Sequence, residues 1–227
     1  MTGMTGIFIT FEGTEGGGKS TQIQILAERL RALGRNVRVL REPGGTPIGE
    51  EIRHTLKYSE ANRAMTSEAE LLLMNASRAQ LVREVIRPAL AAGEVVLCDR
   101  FYDSTIAYQG YGRQLDLAKV KAIIDFAVEN TRPDLTLLLD VPIEVSEARR
   151  LSRQKNLIHI PTTTSTGKQP LRDRMEEADR AFFERVQKGF QAIAKAEAGR
   201  VQVIDATKPI EQVRSLVWEA VLPLTRR

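Results

Sequence analysis

Apolar positions along the chain follow two rhythms that alternate. Short runs at 7–11, 37–40, 95–98, 135–139 and 201–204 are apolar almost throughout. Near-continuous apolarity without in/out alternation marks strands covered on both faces, as in a parallel sheet. Between these runs the apolar residues recur three or four apart, as with Ile23, Ile25, Leu26, Leu30 and Leu33, which is helical spacing. Strand alternating with helix predicts an α/β fold, a five-stranded parallel sheet with helices on both faces. Residues 66–92 predict one long helix, opening at Thr66-Ser67-Glu68 and closing at Gly93, with Pro88 near its end where a kink or early stop is expected. Its apolar residues, from Leu71 through Leu90, are too numerous for one narrow stripe. That predicts extensive burial or a subunit interface. Residues 154–171 show neither rhythm and read as a long polar loop, the kind usually functional or disordered. A helix is expected to begin at Asp173-Arg174-Met175-Glu176. With no repeats and no dividing linker, residues 1–227 read as a single domain.

Composition narrows the picture only a little. The 227 residues are 42% apolar and 27% charged, as expected of a soluble globular protein. A net charge of +4 suits anionic nucleotides and is too small to argue for a nucleic-acid partner. One cysteine, Cys98, excludes an intrachain disulfide framework and suits a reducing cytosol; within Val95-Val96-Leu97-Cys98 it reads as buried filler. No run approaches transmembrane length, and residues 1–6 lack the basic start of a signal peptide, so a cytoplasmic location and no membrane partner are expected. His54 and His159 stand alone and offer no metal-ligand spacing.

The chemistry is announced at Gly13-Thr14-Glu15-Gly16-Gly17-Gly18-Lys19-Ser20-Thr21. This stretch fits G-x-x-x-x-G-K-[ST], preceded by a strand and followed by a helix, the context that turns the pattern into a phosphate-binding mechanism. Glycines let backbone N–H groups converge on phosphate oxygens, and the helix N-terminus adds partial positive charge. Lys19 can reach the β- and γ-phosphates, and the Ser20 hydroxyl can ligate Mg²⁺. Ligands of such sheets gather at the carboxyl ends of the strands, which here carry Glu12, Arg41-Glu42, Asp99-Arg100, Asp140 and Asp205. Asp99 is placed like the carboxylate that holds Mg²⁺ directly or through water, and Arg100 would lie between donor and acceptor phosphates. The pair also reads as a structural closure of its strand. Arg41-Glu42-Pro43-Gly44-Gly45-Thr46 joins a rigid turn to an arginine whose planar fork suits a phosphate. Arg149, Arg150 and Arg153 adjoin the irregular segment, either as a solvated helix face or as arginines that close over a triphosphate. A phosphate acceptor, with a second pKa of about 6, needs no strong general base. A water-positioning group for hydrolysis is not evident.

Taken together, the chain resembles the bacterial thymidylate kinases over nearly its whole length. The resemblance rests on the loop with its leading Phe11-Glu12, on 41–46, on Asp99-Arg100 with Ser104, on Ala107-Tyr108-Gln109-Gly110, and on Arg132-Pro133-Asp134-Leu135-Thr136. It implies a three-layer sandwich of the P-loop NTPase type with a short mobile lid at about 149–174. It also implies transfer of the γ-phosphoryl group of MgATP to dTMP, and a homodimer. By position it puts Glu15 near the sugar 3′-hydroxyl, Arg41 and Arg100 on the acceptor phosphate, and Arg78 on the thymine edge, helped by Ser104 and Thr105. Pro43 and Met74 join this acceptor pocket, Tyr108 crowds the 2′ position with Gln109 beside it, and Ala206 lies in the segment that approaches adenine. Gly16 stands where some members carry a loop arginine, and Arg149 and Arg153 stand at the lid, so the chain is similar to the lid-arginine type. Two departures stand out: Met74 replaces the phenylalanine on which many relatives stack thymine, and 154–171 is longer than the usual lid. Other readings are a P-loop kinase for another deoxynucleoside monophosphate, and a nucleotide-binding regulator without transferase activity.

Overall fold

The computed structural model describes residues 6–158 and 178–226, without the side chains of residues 150, 151 and 153–158. Five strands, β1 (Ile7–Glu12), β2 (Val37–Arg41), β3 (Val95–Asp99), β4 (Leu135–Asp140) and β5 (Val201–Asp205), form one all-parallel sheet in the order β2-β3-β1-β4-β5. Each runs one residue beyond the apolar run that predicts it, so the polar residue at its carboxyl end is paired within the sheet. Phe11 lies opposite Asp99, and Arg41 is also in register with Asp99. β1 sits between β3 and β4; the chain builds the β2 and β3 side first and then crosses past β1 to β4 and β5. The crevice at the carboxyl end of β1 is the position where α/β sheets bind ligands.

The inner strands are buried on both faces with a period of two. Ile7, Ile9 and Phe11 pack with Val95, Leu97, Leu135 and Leu137 against α1 (Lys19–Ala32) and α9 (Ile210–Thr225). Phe8, Val96, Cys98 and Leu138 face the other layer, which holds α3 (Ser67–Leu81), α6 (Leu117–Val128) and α8 (Arg180–Ala196). Cys98 is wholly buried and its thiol is pushed well up by desolvation, the filler its neighbours predict. The expectation of strands covered on both faces fails at the sheet edges. No residue of β2 is fully buried, and Val203 of β5 is 55% exposed, because an edge strand lacks a neighbour on one side.

The long helix predicted over 66–92 starts where expected, with the Thr66 hydroxyl accepting from the Ala69 N–H at 3.2 Å. It is not uniform. A π-turn over Val82–Ile86 separates α3 from α4 (Arg87–Ala91), which carries Pro88 in its first turn. Proline removes a backbone donor and crowds the preceding turn, and the wider π-turn directly upstream accommodates it. The chain also runs through α2 (Pro47–Lys57), α5 (Tyr102–Thr105), a π-turn over Ile106–Gly112, and α7 (Ile143–Ile158). α7 corrects one expectation: residues 154–158 are helical, so the irregular segment starts later than its composition implies. The rest of it, with 173–176, lies outside the described residues. α8 begins at Arg180, its N-terminus capped by Asp179, which accepts from the Phe182 N–H at 2.7 Å.

Candidate active site

The phosphate-binding loop leaves β1 at Gly13 and enters α1 at Lys19. Gly13, Gly16 and Gly18 all have positive φ, a conformation that L side chains rarely adopt. At Gly16 the space is closed as well. A Cβ there would lie 3.0 Å from the Ser146 carbonyl oxygen and 3.3 Å from the Arg149 Cβ, so α7 packs directly on the loop. Ser146 donates its hydroxyl to the Glu15 carbonyl at 2.5 Å, and Arg149 Nη1 donates to the carbonyls of Gly16 (3.2 Å) and Ala206 (3.1 Å). Arg149 therefore joins the two segments expected to hold ATP. Arg153 lies further along the same helix, with its side chain outside the described residues.

Lys19 is buried, and its Nζ donates to the carbonyls of Gly13 (3.0 Å) and Thr14 (2.9 Å). Burial pushes its pKa down to about 8, with the nearby positive charge of Arg100 adding to that; Asp99, Glu15 and Glu12 oppose it. Ser20, exposed at the start of α1, donates to Asp99 Oδ2 at 3.0 Å. Both oxygens border a polar cavity, which is lined further by Glu15, Gly16, Gly18, Lys19 and Thr21 and by Arg41, Arg53 and Arg100. Gly17 completes the loop, its N–H donating to the Thr14 carbonyl at 3.4 Å.

A second, mostly apolar cleft of about 550 Å³, counted to its open mouth, adjoins the first. Pro43, Met74, Phe101, Tyr108 and Phe183 form its apolar walls, and Arg78, Ser104, Thr105 and Gln109 its polar ones. Glu15, Glu42, Lys57 and Arg100 line both spaces. Arg78 is 2% exposed, and its N–H groups are fully committed. Nε and Nη2 donate to Glu42 Oε2 (2.9 and 2.6 Å), Nη1 to Asn75 and Thr105 (both 2.9 Å), and Nη2 also to the Phe101 carbonyl (3.2 Å). Burial raises the pKa of Glu42 against the opposing charge of Arg78, and its other oxygen accepts no hydrogen bond among the described residues. Gln109 donates its amide to the buried Glu70 at 2.8 Å. Arg100 is a non-glycine residue at φ 70, a strained conformation of the sort that concentrates at functional sites.

Most residues expected at the site from sequence border these two spaces, while Gly13, Thr14, Gly17, Arg149 and Ala206 do not. Arg41 borders only the polar one. It is half exposed and donates to Glu50 (3.0 Å) and to the Pro43 carbonyl (3.3 Å). Asp205 accepts from the Thr207 N–H at 3.0 Å and Asp140 lends its carbonyl to Ala206, and neither borders the two spaces. The polar ends of β4 and β5 therefore do not border the cavities as those of β2 and β3 do, and Glu12 at the end of β1 is buried behind them. Arg53, Lys57, Phe101, Phe183 and Ser146 join the site without having been expected. Arg53 and Lys57 are four apart on α2 and so share one helix face, a spacing visible in the sequence. Phe183 arrives from α8, far along the chain, and carries no local signal.

Comparison with known proteins fits this geometry. The thymidylate kinase family model matches residues 11–217. Among curated proteins, the thymidylate kinase of Alcanivorax borkumensis is 47% identical over 93% of each chain. That of Pseudomonas fluorescens is also 47% identical, over 97% of this chain and 96% of its own. Among solved structures, thymidylate kinase from Ehrlichia chaffeensis superposes with a TM-score of 0.73 at 33% identity, covering 96% of this chain and 99% of its own. Two adjoining spaces, one polar around a phosphate-binding loop and one apolar with a fixed arginine, stand in a chain that matches these proteins over most of its length, and it belongs to the thymidylate kinase family.

Proposed function

We propose that the protein transfers the γ-phosphoryl group of MgATP to dTMP, giving dTDP and ADP. The observation that carries this reading is the junction of the two spaces: Arg100 and Glu15 border both, where an acceptor phosphate would meet a donor. ATP phosphates bind along Gly13 to Thr21, with Lys19 turning from the loop carbonyls onto the β- and γ-oxygens. Arg149 holds the loop against Ala206 beside the adenine, and Arg153 reaches the triphosphate from the lid at about 149–174. An oxygen of the acceptor phosphate, already a dianion at neutral pH, attacks the γ-phosphorus as the bond to the β-bridging oxygen breaks. No general base is required, so positioning and charge neutralisation supply the catalysis. Arg100 and Arg41 do this for the acceptor side.

The residues present suit Mg²⁺. Ser20 and Asp99 offer two hard oxygen donors 3.0 Å apart, and the described residues hold no group of three or more His, Cys, Asp or Glu able to bind a metal. Mg²⁺ commonly takes one or two protein oxygens and fills its shell with phosphates and water. When bound it neutralises charge on the β- and γ-oxygens. Thymine lies in the apolar cleft between Met74, Pro43 and Phe101, with Glu15 at the 3′-hydroxyl and Tyr108 under the 2′ carbon. Since Arg78 has its N–H groups committed, a base edge replaces one of the Asn75, Thr105 or Phe101 acceptors, with Gln109 alongside.

The chain is read further as a single cytoplasmic domain and a homodimer, with no nucleic-acid or membrane partner; no described helix is long and apolar enough to cross a membrane. A panel of nucleoside monophosphates with MgATP tests the reading. The expected kcat/KM for dTMP exceeds that for dGMP or dCMP by at least about tenfold. Equal or faster turnover of either rival would replace this assignment.

A further inference from the structure

Glu12 closes β1 and is wholly buried. Burial pushes its carboxyl up to about 7, with the Asp103 carboxylate adding to the rise and the Ser104 hydroxyl opposing it. A carboxylate kept in so costly a place needs its lone pairs satisfied, and these are. Oε1 accepts from the backbone N–H groups of Phe101 (2.7 Å) and Ser104 (3.3 Å), and Oε2 accepts from the Ser104 hydroxyl at 2.5 Å. A guanidinium can only donate, so the Ser104 oxygen accepts from Arg100 Nη1 at 2.9 Å and the hydroxyl hydrogen is left to point to Glu12. The direction is therefore set: Arg100 to Ser104 to Glu12.

Arg100 needs such a support. Its backbone is in the left-handed region, and its long side chain has much rotamer freedom to lose. Its other described side-chain supports are the Tyr108 ring, with the guanidinium carbon 5.0 Å from the ring centroid, and a long 3.3 Å bond to the Tyr108 hydroxyl. We propose that Glu12 and Ser104 are positioning residues for the acceptor phosphate: the buried carboxylate acts through the Ser104 hydroxyl to fix the guanidinium of Arg100 in the orientation that receives it. The inference rests on the reading of dTMP as acceptor and changes one part of it. Ser104 serves the phosphate end of the acceptor through Arg100, and not the thymine edge.

Calorimetric binding of dTMP and of thymidine, which lacks the phosphate, separates the two roles. Ser104→Ala and Glu12→Gln should each weaken dTMP about tenfold, the scale of one charge-assisted hydrogen bond, while thymidine changes by less than about twofold. Because the two residues act in series, the double variant should bind dTMP about as well as the weaker single one. Parallel loss of dTMP and thymidine, unchanged dTMP binding, or additive losses would each overturn the relay. If Glu12→Gln does not fold, Ser104→Ala, which removes one hydroxyl, decides alone. A wild-type protein that fails to bind dTMP counts against the dTMP-kinase reading itself. A wild-type protein that binds it, with variants that match it, counts against the relay alone.

Discussion

Lys19 shows at the scale of one residue how the site holds charge in readiness. Its ammonium is buried beside Arg100 and satisfied by two loop carbonyls, partners that a triphosphate can displace. Desolvation and like charge make this an unfavourable place for a cation until phosphates arrive. Lys19→Met keeps the volume and removes the charge. It should lower kcat by about 100–1000-fold in a coupled assay. The melting temperature should hold or rise, by about 2–4 °C for each kcal/mol of desolvation relieved. MgATP should raise the melting temperature of the wild type more than that of the variant. A fall in melting temperature without ligand would mean that the bonds to Gly13 and Thr14 outweigh the burial cost.

At the scale of elements, the contact between α7 and the phosphate loop controls the donor side. Gly16 has a positive φ, and the nearest obstacle to a Cβ is a backbone oxygen of α7, which cannot swing aside by itself. Gly16→Ala should therefore cost about 1–2 kcal/mol in denaturant unfolding, from the left-handed backbone alone. Shifting α7 also disturbs Arg149 and its bonds to Gly16 and Ala206. KM for ATP should rise several-fold, while KM for dTMP, whose cleft is built from α3, α5 and the π-turn at 106–112, stays close to wild type. Equal effects on both substrates would show that the two halves of the site are not separable in this way.

For the whole molecule, three neighbouring helices carry large apolar side chains that their own chain leaves uncovered. Ile48, Leu72 and Phe126 are 51%, 56% and 81% exposed. They stand on α2, α3 and α6, which pack side by side in that order. Large apolar side chains left on neighbouring helices are characteristic of an interface between chains. Phe126→Asp should shift the protein from dimer to monomer in sedimentation at micromolar concentration. A wild type that already sediments as a monomer would remove the proposed homodimer, and a variant that stays dimeric would place its interface elsewhere. α3 also supplies Met74 and Arg78 to the apolar cleft, so a monomeric variant should lose affinity for dTMP before it loses affinity for ATP.

The sheet and the donor half of the site were legible in the residues because both depend on local patterns. Apolar runs define buried parallel strands. The glycine loop works through backbone geometry that its own residues dictate. What needed the fold was every relation between distant segments. The exposure of β2 and β5 depends on strand order, which no single run encodes. The π-turn before Pro88 is the packed solution to a clash that sequence could only flag. Helix α7 extends through 154–158 despite their polar composition. Glu12, Asp140 and Asp205 look alike as acids at strand ends, yet only Glu12 faces Ser104 and Arg100, because β1 lies at the centre of the sheet, between β3 and β4. Burial, and with it the cost and the direction of each charge, belongs to the assembled layers. The residues named the chemistry; the packing of β1, β3, α3 and α7 decided which of them could act together.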